Sequence, residues 1–174
     1  ALEHMCGICG IFDLTGAPIE RTALERMNDT MRHRGPDGEG HYFDREVGLG
    51  HRRLSIIDLE NGSQPLGNED GRIQVVFNGE IYNFVELRTD LEKRGHSFRT
   101  RSDTEVIVHA YEEWGERCVT RFNGMFAFAV WDSIQRRLFV ARDHLGIKPL
   151  YYFQSGNRIA FASEIKALVS YAPE

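Results

Sequence analysis

The sequence has 174 residues, a length that fits one compact domain with its own hydrophobic core. Its 41% hydrophobic and 27% charged residues are the balance of a globular protein, which excludes a disordered tail or a fibre. The 21 basic and 26 acidic side chains give a formal net charge of −5, which argues against a domain that binds nucleic acid through phosphate contacts.

The termini and the cysteines indicate the cellular setting. No apolar run approaches the roughly 18–20 residues that span a bilayer, and no secretory signal pattern begins the chain, so we expect no membrane partner. The three cysteines are too few for a disulfide framework, and we expect a reducing, cytoplasmic setting. Residues 1–5 end in His-Met, which is typical of an expression scar. We expect a single domain over 6–174, and we expect the natural chain to begin at Met5 or, after methionine removal, at Cys6.

Hydrophobic periodicity predicts the elements of the first half of the chain. In order, it predicts a buried strand, an amphipathic helix and then three strands, over 6–13, 19–34, 40–43, 47–54 and 73–78. The next elements are helices over 84–94 and 104–114 and a short helix over 116–122. Ser102 and Glu105 have the capping-box spacing at the start of the second of these helices.

The remaining segments predict strands over 125–132, 137–142, 150–154 and 158–162, followed by a short helix over 164–170 that Ser163 caps. Residues 125–131 are apolar on both faces, which is typical of a strand covered by another layer on each side. The strands and helices do not alternate strictly. The sequence therefore predicts an α+β fold of two packed sheets with helices outside.

Cys6 is the candidate nucleophile. A cysteine at a processed N-terminus carries an α-amine with a pKa of about 7.7–8.0, which can accept the thiol proton and later pass it to a leaving amine. Cys6 and Cys9 also form a C-x-x-C pair, but Cys118 alone cannot complete a zinc site, and a redox pair normally opens a helix. We interpret Cys9 as a small buried residue.

Several ordered blocks resemble the glutaminase domain of class II (N-terminal nucleophile) glutamine amidotransferases, in the asparagine synthetase branch. They are Cys6-Gly7-Ile8, Arg32-His33-Arg34-Gly35-Pro36-Asp37, His51-Arg52-Arg53-Leu54-Ser55-Ile56, Phe77-Asn78-Gly79-Glu80-Ile81-Tyr82-Asn83, Ser102-Asp103-Thr104-Glu105, and Arg142-Asp143 with Gly146 to Tyr152. The resemblance covers nearly the whole chain from Cys6. It implies a four-layer α/β/β/α sandwich of two antiparallel sheets, as in N-terminal nucleophile hydrolases.

The resemblance also implies a role for each block. The Asn78 amide and the Gly79 N–H would form an oxyanion hole, Arg53 would hold the glutamine carboxylate, and Asp103 with Glu80 beside it would hold the ammonium group. The pocket would also be lined by Leu54, Ser55, Ile56 and Ile57. Taken singly, these residues fit simpler interpretations, namely an Asn-Gly hairpin turn, a surface arginine and a first-turn acid of a helix.

The expected function is hydrolysis of L-glutamine to glutamate and ammonia through a thioester on Cys6, blocked while residues 1–5 remain attached. The resemblance implies a C-terminal synthetase domain or a separate synthetase partner, with ATP and magnesium expected there and no cofactor or metal here. The histidines His33, His41, His51, His96, His109 and His144 show no metal spacing, and 142–152 is interpreted as structural or as a docking surface. Two alternatives remain open: a non-catalytic binding module, and a glutaminase that serves another acceptor.

Overall fold

The computed structural model describes residues 5–54 and 63–171 of the chain. Its strands are β1 (Gly7–Asp13), β2 (Gly38–Asp44), β3 (Val47–Arg53), β4 (Leu66–Gly67), β5 (Ile73–Ile81), β6 (Gly124–Asp132), β7 (Arg137–Arg142), β8 (Tyr151–Ser155) and β9 (Arg158–Ala162). Its helices are α1 (Arg21–Asp29), α2 (Phe84–Lys93), α3 (Asp103–Trp114) and α4 (Ile165–Tyr171), with a 3₁₀ helix over Gly115–Arg121. No helix within these residues is long and apolar enough to cross a membrane.

The strands form two antiparallel sheets. The five-stranded sheet has the order β2-β3-β1-β9-β8, and the four-stranded sheet has the order β4-β5-β6-β7. In the first sheet β1 is the central strand and pairs with β3 on one side and β9 on the other. The strand that follows Cys6 is therefore held by hydrogen bonds along both edges.

Three apolar clusters separate four layers. One cluster joins α1 and α4 to the five-stranded sheet, a second lies between the two sheets, and a third joins α2 and α3 to the four-stranded sheet. Their largest buried members include Leu24 and Met27 in the first, Ile8, Trp131 and Phe161 in the second, and Leu91, Phe126 and Phe128 in the third. The structure confirms the predicted α/β/β/α sandwich, including the strand over 125–131 that is buried on both faces.

The alternation of side chains along each strand directs Cys6 and Asn78 into the same layer, the one between the two sheets. On β1, Cys9 packs towards α1 while Ile8 packs between the sheets, so Cys6 shares the side of Ile8. On β5, Phe77 packs towards the helices and Val76 packs between the sheets, so Asn78 also faces the space between the sheets. Both side chains therefore meet at one end of the intersheet layer.

Asn78 and Gly79 do not form a hairpin turn. They lie inside β5, which pairs with β6 without interruption from Ile73 to Ile81. The strand predicted over 73–78 is therefore three residues longer, and the break expected at Asn78-Gly79 is wrong, because cross-strand pairing continues on past it. This correction favours a functional interpretation of the pair over a turn.

The first helix is shorter than its periodicity predicts. Apolar burial continues to Met31, but α1 ends at Asp29. After that point Met31 and Arg34 bond to carbonyls three residues back, which is tighter than α-helical bonding. The pattern of buried residues is the same in both geometries over so short a stretch, so the sequence did not distinguish them.

Of the two predicted caps, the one at Ser102 is confirmed in part and the one at Ser163 is wrong. Ser102 accepts a hydrogen bond from Thr104 N–H at 3.1 Å, but Glu105 does not reach back to Ser102 and instead accepts bonds from the N–H groups of Arg99 and Thr100. The Ser163 hydroxyl accepts a bond from Ile8 N–H at 3.0 Å, which joins β9 to β1. The cap predicted for Ser163 is therefore wrong, because its hydroxyl is bonded to the backbone of β1.

Candidate active site

Cys6 opens onto a cavity of about 390 Å³ between the ends of β1, β3 and β5. Its sulfur accepts a hydrogen bond from Leu54 N–H at 3.4 Å and lies 3.8 Å from the Leu54 carbonyl oxygen. Burial raises the pKa of the Cys6 thiol, while the Leu54 backbone and the charges of Arg53 and Lys148 act in the opposite direction. The thiol is therefore protonated at neutral pH and needs a base for attack.

Arg34 fixes the backbone of Cys6 from the other side. Its Nε donates to the Cys6 carbonyl oxygen at 3.2 Å, and its guanidinium pairs with Glu164 at 3.2 Å. Gly35 lets the segment after Arg34 lie against the end of β3, because a Cβ at that position would lie 2.3 Å from the backbone carbon of Arg52. The Arg-Gly-Pro-Asp block therefore positions Cys6, a role that its sequence did not reveal.

The N–H of Gly79 points away from β6. Phe126, which lies opposite Gly79, directs its own N–H and carbonyl to Asp143, so the two residues form a non-hydrogen-bonded pair. The neighbouring N–H groups on this edge of β5 are taken, that of Phe77 by the Gln64 side chain at 2.6 Å and that of Ile81 by Asp103 at 2.9 Å. No described residue accepts a hydrogen bond from the Gly79 N–H between them.

Gly79 cannot be replaced without strain. Its φ is +156°, and a Cβ there would lie 2.1 Å from the carbonyl oxygen of Met125 in β6. A side chain would push β5 away from β6 and turn the outward N–H. The glycine is therefore required by the close approach of the two strands.

Asn78 supplies a second donor at the same place. Its side chain is 2% exposed and lines the cavity, and its Nδ2 has no acceptor among the described residues. A buried amide donor without a partner costs free energy, of the order of 1–3 kcal/mol. Two unsatisfied donors, from adjacent residues of β5, thus face the cavity that holds the Cys6 sulfur.

Asp103 and Glu80 place negative charge at the cavity. Asp103 is the first residue of α3, and its carboxylate accepts from Ile81 N–H. Burial and, to a lesser degree, the nearby Glu80 raise the pKa of Asp103, whereas its backbone hydrogen bonds lower it. Burial of this carboxylate next to another acid is typical of a group that receives a cationic ligand.

The two adjacent arginines at the end of β3 have different surroundings. Arg52 is buried on the helix side, where it donates to the Asn28 carbonyl at 3.1 Å and pairs with Asp29 and Glu39. Arg53 lines the cavity, on the same strand face as His51. Leu54 lines it too, while the predicted pocket residues Ser55, Ile56 and Ile57 lie outside the described residues.

Lys148 is a cavity residue that sequence reasoning missed. It is 6% exposed, and its Nζ lies 3.0 Å from the sulfur of Met5, which lines the same cavity. Burial lowers the pKa of Lys148, while Glu80 and Cys6 raise it. Lys148 therefore brings a cation close to Cys6, from a block interpreted from the sequence as structural or as a docking surface.

The loop that carries Lys148 is built around Asp143. The Asp143 carboxylate accepts four backbone N–H bonds, from Phe126, Leu145, Ile147 and Lys148. Arg142 closes the same loop by donating to the carbonyl of Lys148 at 2.7 Å. The spacing of these residues shows no catalytic pattern in the sequence. The side chains of Arg142 and Asp143 hold the loop together by hydrogen bonds to its backbone, and of these three residues only Lys148 lines the cavity.

His51 lines the cavity but is a poor base. It is 1% exposed, and burial lowers its pKa to about 3, so the ring is neutral at neutral pH. A bond to the Phe77 backbone opposes this shift only in part. Among the described cavity residues, no imidazole is therefore ready to accept the thiol proton of Cys6.

The other two cysteines are buried and inert. Cys9 and Cys118 are both 0% exposed, and burial raises the pKa of each thiol to about 12. The Cys9 sulfur lies 3.9 Å from the Asn28 side-chain oxygen, on the helix side of the sheet and away from Cys6. The interpretation of Cys9 as a small core residue agrees with this placement.

Similar proteins match most of this chain. The chain is 47% identical over 170 residues to "Asparagine synthetase [glutamine-hydrolyzing] 1" of Bacillus subtilis, covering 95% of this chain and 27% of that protein. It is 42% identical to "Asparagine synthetase [glutamine-hydrolyzing] 2" of Oryza sativa subsp. japonica, covering 94% of this chain and 28% of that protein. The chain thus spans about a quarter of the length of these relatives.

A solved structure, glutamine phosphoribosylpyrophosphate amidotransferase from B. subtilis complexed with ADP and GMP, has the same fold with a TM-score of 0.78 at 23% identity, over 95% of this chain and 43% of that chain. The family described as "Glutamine amidotransferase domain" matches residues 5–173. This match and the identity to the asparagine synthetases agree with the resemblance found in the sequence. The chain belongs to the glutamine amidotransferase domain family.

Proposed function

We propose that this domain hydrolyses L-glutamine to glutamate and ammonia, with Cys6 as the nucleophile. The observation that carries the proposal is that the Cys6 sulfur shares one cavity with two outward donors of β5, Asn78 Nδ2 and the Gly79 N–H. A tetrahedral intermediate on the glutamine side-chain amide carries its negative charge on oxygen, and such donors stabilise that charge.

The α-amine of Cys6 serves as the base in this mechanism. It takes the thiol proton, the thiolate attacks the side-chain amide carbon, and the amine returns the proton to the departing ammonia. Water then attacks the γ-glutamyl thioester and releases glutamate and the free thiol. His51, whose pKa is about 3, is too weak a base to take the thiol proton at neutral pH, so we assign this role to the amine.

The charges of the cavity fit the rest of the substrate. Arg53 offers a guanidinium to the α-carboxylate of glutamine, and Asp103 with Glu80 offers carboxylates to the α-ammonium. The pocket lining proposed for Leu54, Ser55, Ile56 and Ile57 completes this assignment. We propose no metal or cofactor in the glutaminase step, since the thiol, the amine and the donors suffice for amide hydrolysis.

The mechanism requires that residues 1–5 be removed, because an acylated Cys6 nitrogen is an amide and has no basicity. Met5 also lines the cavity beside Lys148, where it takes up space that the substrate needs. We therefore propose that the active species begins at Cys6. Removal of the residues that precede Cys6 would produce it.

The proposal is tested by measuring the release of ammonia and glutamate by two proteins, the 174-residue chain and the chain cut to begin at Cys6. We expect hydrolysis from the shortened chain and little from the longer one. Cys6→Ser in the shortened chain is the matched control and should abolish thioester formation. Equal rates from both lengths would remove the α-amine from the mechanism.

Labelling by a glutamine-like electrophile distinguishes the enzyme from a non-catalytic binding module. Cys6 should react selectively and glutamine should protect it, while the buried Cys9 and Cys118 should not react. Glutamine binding without labelling of Cys6 or turnover would favour a binding module.

The acceptor of the ammonia is proposed from the relatives. We propose a synthetase partner, either as a C-terminal domain or as a separate chain, that consumes ammonia with ATP and magnesium to form asparagine. The exposed apolar side chains of Leu145, Ile147 and Tyr152, near the loop of Lys148, offer it a surface. Glutamine-dependent asparagine formation with that partner would support this acceptor, whereas transfer only to a sugar phosphate or phosphoribosyl donor would replace it.

A further inference from the structure

A second cluster of chemically active side chains lies on the helix layer, outside the cavity of Cys6. α2 is followed by Gly95, whose φ of +99° reverses the chain so that His96 N–H bonds back to the Leu91 carbonyl at 3.1 Å. This turn sets the His96 ring beside α3. There it meets His109 and Glu112, which occupy one face of α3 three residues apart.

Three ligand atoms converge at this point. His96 Nδ1 lies 3.3 Å from His109 Nδ1 and 3.5 Å from Glu112 Oε2. His109 Nδ1 lies 2.8 Å from the same carboxylate oxygen. Tetrahedral bonds of about 2.0–2.1 Å place ligand atoms roughly 3.3 Å apart, so two of the three separations already fit a zinc ion and the third needs a small shift.

The opposite nitrogen of each imidazole faces a carboxylate. His96 Nε2 lies 3.3 Å from Glu113 Oε2, and His109 Nε2 lies 3.7 Å from Glu105 Oε1 and 3.8 Å from Glu69 Oε1. Carboxylates in this position hold the proton on Nε2 and direct the lone pair of Nδ1 to a metal. Each histidine therefore has a carboxylate beside the nitrogen that would face away from the metal, at hydrogen-bond distance for His96 and slightly beyond it for His109.

The carboxylate ligand is held as well. Asn68 Nδ2 donates to the other oxygen of Glu112, Oε1, at 2.7 Å, which leaves Oε2 directed at the histidines. The His109 side chain is 2% exposed, whereas those of His96 and Glu112 are 16% and 21% exposed. One side of the cluster is thus fixed in the core and the other is open to an incoming ion and a water ligand.

We propose that His96, His109 and Glu112 form a binding site for a divalent transition metal, with Zn²⁺ as the fitting ion. Two imidazoles and one carboxylate suit Zn²⁺, Co²⁺, Ni²⁺ or Cu²⁺, whereas Mg²⁺ and Ca²⁺ prefer oxygen ligands alone. A bound ion links the turn after α2 to α3. The site is structural and does not depend on the proposed glutaminase function.

The site was not visible in the sequence, because its members do not share a short motif. His96 and His109 are 13 positions apart, and only the turn at Gly95 brings them together. The expectation of scattered histidines with no metal role rested on spacing alone. The proposal therefore departs from that expectation on the observed distances.

Calorimetric titration of the 174-residue chain with Zn²⁺, together with Co²⁺ absorption spectra, tests the site. All proteins carry Cys6→Ser, so that the accessible thiol does not bind the ion. We expect one Zn²⁺ per chain, a rise in Tm with Zn²⁺, and a Co²⁺ spectrum without thiolate charge transfer. Mg²⁺ in place of Zn²⁺ should give neither heat nor a Tm shift.

Three variants separate this site from adventitious binding. Glu113→Gln keeps all ligands and should weaken binding by about 10- to 100-fold, and His96→Ala, which removes a partly exposed ligand, should weaken it further. His144→Ala removes an exposed histidine elsewhere and should bind as the parent does. Equal affinity of the parent and His96→Ala, or no binding by the parent, would overturn the proposal.

Discussion

At the scale of single residues, the candidate site is a set of donors and charges around one sulfur. Asn78 and Gly79 contribute through different atoms. The Asn78 side-chain amide lies on the face of β5 that meets the cavity, and the Gly79 backbone N–H points away from β6 at the same place. Arg34 and Lys148 add cations on either side of Cys6. The chemistry proposed for Cys6 would depend on these neighbours as well as on the thiol.

Replacement of Asn78 by alanine tests the proposed oxyanion donor. In the chain that begins at Cys6, we expect Asn78→Ala to lower kcat by about 10²–10³-fold with a small change in KM, because the donor acts on charge that develops in the transition state. Asn157→Ala, in an exposed turn, is the matched control. A change in KM alone would assign Asn78 to ground-state binding.

Replacement of Lys148 tests whether its charge acts on the thiol. Lys148→Met removes a cation near Cys6, so the pKa of the thiol should rise and its alkylation at a fixed neutral pH should slow. Lys148→Arg should retain most of the effect, and Lys93→Met, at an exposed position of α2, should change nothing. Alkylation rates measured against pH give the pKa directly. Coincident rate–pH profiles for Lys148→Met and the parent would contradict this role.

Some residues of the candidate site could be identified from the sequence and others could not, for a physical reason. Cys6, Asn78 and Asp103 belong to compact blocks in which the functional group and its strand or helix are adjacent in sequence. Arg34 reaches the Cys6 backbone and Lys148 reaches the cavity from loops whose paths depend on long-range contacts, to Cys6 and to Phe126. No local pattern encodes such a path.

At the scale of elements, the loop that follows β7 depends on one carboxylate. Four backbone N–H donors hold the pKa of Asp143 below its usual value, even though burial acts to raise it. Because the folded-state pKa is depressed, this stabilisation is present above the unfolded pKa of about 3.9. It is lost as the pH falls through the folded pKa.

Asp143→Asn tests that loop. We expect a loss of about 2 kcal/mol in the free energy of unfolding at pH 7, since the charged acceptor is replaced by a neutral one. Denaturant unfolding at several pH values should show the difference from the parent shrinking below about pH 4. Asp90→Asn, in an exposed pair with Arg94, is the control and should change stability little. A difference that stays constant with pH would contradict the assignment.

Ser163→Ala tests the link between β9 and β1. The buried Ile8 N–H would lose its acceptor, which costs about 1–3 kcal/mol, and its hydrogen exchange should accelerate. Ser102→Ala is the matched comparison, because it removes the cap of α3 and should speed exchange at Thr104 instead. Faster hydrogen exchange along α4, with no change at Ile8, would instead support the prediction that Ser163 caps α4.

Most element boundaries could be predicted from the sequence, and the exceptions share a cause. Strands β7 and β9 match their predicted bounds, because each lies between clear turn signals. The end of α1 and the continuation of β5 through Asn78-Gly79 were missed, since local composition fits a helix in one case and a turn in the other. Contacts between distant segments decide both.

At the scale of the whole molecule, three apolar layers account for the stacking of two sheets between two pairs of helices. The sequence could predict this architecture because the strand over 125–131 is apolar on both faces and therefore needs a layer on each side. It could not predict which strands are neighbours. The order β2-β3-β1-β9-β8 depends on pairing across the full length of the chain.

The position of Met5 has a practical consequence. β1 is paired with a neighbouring strand on each side, and Met5, immediately before Cys6, lies in the lining of the cavity. An affinity tag fused at this end would act as a plug as well as a chemical block. Purification handles for this domain therefore belong at the opposite terminus, beyond α4.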